Sequence, residues 1–359
     1  MFSSNETCEL TIRSIENYNM SNWQITHTVD TLTTVNNKFD VLNKVNDLII
    51  NGTHKKDIFI TDKSFLISTN YKTYFDKGNI LKCDSYSITK VANIGKIITM
   101  EYNEEIAKIN SLFAYYKSVN SMVNRGLKCR IRGNILADSY KILFDKKLDE
   151  AYLELSKGAK QQVSDVYERF LNPDINAMNK LLNRIENEKN KAIEKNLNHY
   201  TKIGLESAKR FEQCFNRFDR PILGVYHEDN HTFEILNADQ MYKNGEESAN
   251  RIKLKSITKN SPVVLALLVT GAMLGFVKYL AYRDHKVNNA FIEEHMTEMP
   301  QTTRELVENV YSNVDGEINR SGENSQLDPQ VANLAESNFC KLEIVTNNRR
   351  VSLEITGKS

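Results

Sequence analysis

The sequence predicts an α+β fold dominated by helix, with short antiparallel hairpins and one strongly apolar helix that is a candidate single membrane span. Three observations predict it. Between residues 101 and 220, apolar residues recur at three- and four-residue steps, the mark of amphipathic helices. Short stretches near both ends alternate apolar and polar residues, as half-buried strands do. Residues 261–282, "SPVVLALLVTGAMLGFVKYLAY", form the most apolar run in an otherwise polar chain.

The elements follow in order, in four regions. Residues 1–100 mix strand and helix. "CELTIRSI" sets Leu10 and Ile12 against Thr11 and Arg13, a strand pattern. Leu32, Val35, Phe39, Leu42, Val45 and Ile49 line one face of a helix that Asn51-Gly52 ends. "DIFITDKSFLIS" predicts a hairpin turning at Thr61–Ser64.

Residues 101–220 are helical. Ile106, Ile109, Phe113, Tyr116, Val119 and Val123 hold one helical stripe. Lys128, Arg130 and Arg132 alternate with Cys129 and Ile131, which predicts a strand with a solvated basic face. The long helix 174–218 starts after Pro173. Unbroken it would span about 65 Å, at ~1.5 Å per residue. Its stripe weakens at Lys189 and Asn196, and Gly204 could interrupt it. Both a coiled-coil interaction arm and two helices packed in a bundle fit that pattern.

Residues 221–300 predict a hairpin, a short helix over 237–250, a strand at 251–258 and the apolar helix 262–282. Residues 301–359 predict a helix, a polar linker and a C-terminal hairpin turning at Asn347-Asn348.

Composition narrows function. The formal net charge is +1, with 47 basic and 46 acidic residues, which argues against a nucleic-acid partner. Five scattered cysteines, with no Cys-x-x-Cys pair, predict free thiols rather than a disulfide framework or zinc ribbon. No phosphate-binding glycine loop and no Gly-x-Ser-x-Gly elbow occurs, so no cofactor and no catalytic residue is assigned.

His227-Glu228-Asp229-Asn230-His231 matches the His-Glu-x-x-His pattern of zinc hydrolases. That chemistry needs a helix, on which residues four apart share a face. Here strand-like residues flank Asp229-Asn230, which is turn chemistry. His227, Glu228 and His231 are therefore weak metal candidates, and a solvated hairpin turn is the simpler reading.

The apolar run decides location. Val263–Val277 carries no charge, and a span needs about 20 residues. Lys278 could snorkel, Tyr279 and Tyr282 suit a membrane interface, and Gly271 and Gly275 form a GxxxG helix-packing step. The basic flank before the run, and an N-terminus without a secretory signal pattern, place the first ~250 residues on the cytoplasmic side. A buried core helix in a soluble cytoplasmic protein is the alternative. The expectation is a non-enzymatic, membrane-associated interaction protein with a protein partner or self-association. The alternatives are a soluble α+β binding protein and, last, a zinc hydrolase.

Overall fold

A computed structural model describes residues 7–14, 20–64, 80–81, 87–145, 147–170, 173–197, 206–236, 253–258, 264–270, 273, 327–348 and 351–358. The described chain is α+β and rich in helix. It divides into two compact units. One comprises Met1–Gly52 and Gly245–Ser359, and the other Thr53–Asn244. These boundaries do not coincide with the sequence breaks at residues 100 and 220.

In the first unit, β1 (Thr7–Ser14), β7 (Lys253–Thr258), β8 (Val264–Thr270) and β9 (Val351–Lys358) form an antiparallel sheet of order β7-β8-β1-β9. Its register places Leu10 between Leu267 and Ile355, and Ile12 between Leu265 and Leu353. Leu254 and Ile257 continue the same two rows. Strand alternation makes such rows: with a period of two, one register brings every second apolar residue into line.

This sheet corrects the apolar helix. Val264–Thr270 is a strand flanked on both sides, not part of a helix 262–282. The physical reason is that an unbroken apolar run has no period. It suits an inner strand, flanked on both sides, as well as a buried helix. Among the described residues no helix is long and apolar enough to cross a membrane.

The C-terminal hairpin is corrected too. Residues 341–348 belong to α8 (Pro329–Asn348), and only its second strand is real, as β9. Asp328 caps α8: its carboxylate accepts the Gln330 N–H at 3.0 Å, and Pro329 fits the first turn. Phe339, Leu342 and Val345 recur every three residues, a helical step that the short Leu342/Ile344 alternation conceals. The Asp328 N–H donates to Asn46 Oδ1 of α1 (Asn22–Ile50), tying the two helices. α1 forms as expected, with a Ser21/Gln24 capping box and an end at Asn51-Gly52.

The second unit carries a five-stranded antiparallel sheet of order β3-β6-β5-β2-β4. Its strands are β2 (Ile58–Ser64), β3 (Ile80–Leu81), β4 (Ile97–Thr99), β5 (Pro221–His227) and β6 (Thr232–Ile235). β5 and β6 are the expected hairpin. The turn expected at Thr61–Ser64 is instead a register shift within β2, a bulge rather than a reversal.

Around it lie α2 (Ser87–Asn93), α3 (Glu104–Leu127), α4 (Gly133–Asp145), α5 (Leu148–Tyr167), α6 (Ile175–Leu197) and α7 (Ser207–Arg217). The expected stripe of α3 is buried at all six positions, in one core with Leu136, Tyr140, Tyr152, Leu155 and Val163. The long helix 174–218 is two elements, α6 and α7, with residues 198–205 outside the described set. α6 buries Leu181 and Ile185 in the unit's own core, while α7 packs Phe211 and Phe215 against β2 and β4.

Residues 128–132 are a connection, not a strand. Lys128 caps α3 in the left-handed region (φ 54°). Asn120 and Gln162 side chains satisfy the backbone of Arg130, Ile131 and Arg132, as a neighbouring strand would. Lys128, Arg130 and Arg132 are exposed, as a solvated basic face requires.

Candidate ligand cavity and the His231 turn

Two polar sites are built on α3. The first lies at the hairpin turn between β5 and β6. A short 3₁₀ turn, Glu228–Asn230, joins the strands, and His231 follows with φ 52°. That left-handed backbone is uncommon for a side chain larger than Asn, so the surroundings must hold it. They do so from three sides. Phe144 of α4 stacks on the imidazole at 3.7 Å between ring centroids. Tyr140 donates to the His231 carbonyl at 3.2 Å. Tyr226 of β5 lies 3.1 Å from His231 Nδ1 and donates to Glu105 Oε2 at 2.9 Å.

One hydroxyl has one proton. With that proton on Glu105, the Tyr226 oxygen accepts from Nδ1–H, which fixes the tautomer of His231. Burial, with Tyr140 and Glu105 beside it, raises the Tyr226 phenol far above its ordinary range, so it stays a neutral donor.

The zinc-type pattern is therefore taken apart. His227 Nε2 pairs with Glu234 at 2.9 Å. Glu228 pairs with Lys56. His231 turns to Tyr226 and Glu105. Among the described residues no three His, Cys, Asp or Glu side chains converge to hold a metal ion. The other expected site residues, Gly271, Gly275, Lys278, Tyr279 and Tyr282, lie outside the described residues.

The second site is a cavity of about 240 Å³ between β4, α3 and the start of α7. Sequence reasoning missed it. α3 supplies one wall because Ile106, Ala107, Asn110, Phe113, Ala114 and Lys117 recur at helical spacing. β4 supplies the opposite wall and is the sheet's edge strand. Its outward-facing backbone is not left open. Asn110 Oδ1 accepts the Ile97 N–H at 2.9 Å, and Asn110 Nδ2 donates to the Ile97 carbonyl at 2.7 Å. One side chain thus stands in for a missing strand at Ile97.

The loop before β4 is set by Gly95, at φ 132°. A Cβ there would meet Asp62 Oδ1 at 2.7 Å, the atom that accepts the Lys96 N–H. Only glycine lets the chain pass and deliver Lys96 to the rim.

The charge of this cavity has one sign. Its three charged lining residues are Lys96, Lys117 and Arg210. Arg210 also pairs with Glu206, one turn back on α7's approach. Lys117 is half-buried and has no hydrogen-bond acceptor or ion-pair partner among the described residues. Burial lowers its ammonium pKa from the ordinary 10.5, and neighbouring Lys63 lowers it further against the opposing pull of Asp62. A partly desolvated cation with no partner among the described residues, on the wall of a mainly apolar cavity, is the arrangement that an anion would relieve.

No protein-family model matches the chain, and no curated protein and no solved structure resembles it significantly. Function has to be read from the site itself.

Proposed function

We propose that this protein is a ligand-binding α+β protein whose Thr53–Asn244 unit takes a small amphipathic anion, a carboxylate or phosphate head on a short apolar body. The observation that carries the reading is Lys117, half-buried without a partner among the described residues, on the wall of a cavity whose charged lining is wholly basic. Ile97, Ile106 and Phe113 suit the apolar body. Lys117, with Lys96 and Arg210, suits the head.

The test is a titration of short carboxylates and phosphate monoesters, followed by amide chemical shifts. Saturable shifts confined to β4, the first half of α3 and α7 are expected with butyrate. Lys117→Gln, which keeps the length but removes the charge, should weaken that binding at least tenfold, about 1.4 kcal/mol. Absence of saturation by every anion in the series would end the reading.

The membrane-anchored interaction protein rests on residues 262–282. With Val264–Thr270 committed to a sheet, twelve residues remain to Tyr282. Even fully helical they would cover about 18 Å, against a hydrocarbon core of ~30 Å. The coiled-coil arm has less surface to offer, because Leu181 and Ile185 of α6 are buried inside its own unit, although Ile175 at its start is exposed. The hydrolase reading has no support in the dispersed partners of His227, Glu228 and His231.

A further inference from the structure

We infer that Lys117 captures a small 2-oxo acid in the cavity as a covalent imine. The inference rests on the anion-binding reading and goes beyond it, because it turns Lys117 from a counter-ion into a nucleophile.

The geometry supplies what the chemistry needs. A lysine adds to a carbonyl only as the free amine, so the amine must be short of partners and of water. Lys117 is half-buried, lines a mainly apolar cavity, and is engaged by no acceptor among the described residues. The charged groups that act on it are Lys63, opposed by Asp62, while Lys96 and Arg210 line the same cavity. Burial, and then neighbouring Lys63 against the opposing pull of Asp62, disfavours its protonated form. The cations that line the cavity select the ligand. A 2-oxo acid carries a carboxylate next to its carbonyl carbon. With that carboxylate held by Arg210 and Lys96, the carbonyl carbon is presented beside Lys117. A tail of one to a few carbons would lie against Ile97, Ile106 and Phe113.

The step balances without a redox partner. The Lys117 nitrogen lone pair forms a C–N bond to the carbonyl carbon as the C=O π pair moves to oxygen. Proton transfer from nitrogen to that oxygen gives a carbinolamine. Its hydroxyl leaves as water after a second protonation, and the nitrogen lone pair closes the C=N⁺ bond. One water is released per imine formed, and no electrons are gained or lost.

The experiment treats the full-length chain with pyruvate and cyanoborohydride near neutral pH, then maps modified lysines by peptide mass spectrometry. The expected result is a reduced adduct on Lys117 forming at least ~10-fold faster than on an exposed lysine such as Lys128, and suppressed by excess butyrate. Lys117→Arg, which offers no nucleophilic amine, should lose the fast adduct. Modification spread over exposed lysines, with Lys117 no faster, would overturn the inference. If butyrate still saturates the cavity in that case, only the covalent step falls. If butyrate does not bind either, the anion-binding reading falls with it.

Discussion

α3 carries two polar sites that differ in one respect. At the His231 turn the polar side chains close on each other: Tyr226 serves both Glu105 and His231, His227 has Glu234, and Glu228 has Lys56. At the cavity the central cation has nothing to close on among the described residues, and there is space beside it. A satisfied polar cluster stiffens a fold and specifies it. An unsatisfied charge with room next to it costs stability until something arrives, which is the signature of a site rather than a strut. The residue pattern pointed to the first location as the chemically loaded one. The partner count points to the second.

The strongest way to break this comparison is to remove the sheet that seats the turn. Gly224 sits in β5, between β2 and β6. A Cβ there would fall 2.4 Å from Phe59 Cζ and 2.5 Å from the Glu234 carbonyl oxygen. The backbone atom cannot retreat without tearing the β5–β6 pairing. Gly224→Ala should therefore cost about 3 kcal/mol or more in urea denaturation and disturb both sites together.

Next in size is Tyr226→Phe. It deletes the hydroxyl that links Glu105 and His231 and leaves both facing a phenyl edge. A loss of about 1–3 kcal/mol is expected. Butyrate binding should not change, because the cavity is lined by other side chains of α3. A large loss of binding with little loss of stability would invert the roles assigned to the two sites.

Much of the fold is legible in the residues, and the reason is period. Ile106, Ile109, Phe113, Tyr116, Val119 and Val123 announce α3 because a helix with one buried face must repeat at 3.6. Leu10 and Ile12 announce β1, and the polar turn after Val225-Tyr226 announces the β5–β6 hairpin. β8 was illegible as a strand because an element flanked on both sides needs no period, so length and neighbours decide it. At residues 341–345 Leu342 and Ile344 fit a strand repeat while Leu342 and Val345 fit a helical one. The His227–His231 turn could be located by its pattern, though its partners, Glu105, Phe144 and Tyr140, come from far along the chain. The cavity gave no signal. Lys117 is one basic residue among 47, and Asp62, Lys96 and Arg210 reach its neighbourhood from separate elements.

The smallest effect sharpens the comparison most. Replacing Lys117 by Met removes a cation that lacks a partner among the described residues and keeps the apolar stem. If the charge is held for a ligand rather than for the fold, Lys117→Met should raise stability of the ligand-free protein by about 0.5 kcal/mol, a modest figure because the group is screened by solvent. The pH dependence has a definite sign. The folded-state pKa of Lys117 lies below its unfolded value of 10.5. Below the folded pKa both states hold the proton and the penalty is complete. Between the two pKa values the unfolded chain binds more protons, so wild-type stability rises with pH, and above 10.5 the penalty is gone. The gap in Tm between variant and wild type should therefore be widest near neutral pH and close as the solution approaches that value. Saturating butyrate should close it at neutral pH by a different route, since bound anion stabilises the wild-type folded state and not the variant's. A variant less stable than wild type at neutral pH would show that Lys117 has a structural partner, and the two sites on α3 would then be of one kind.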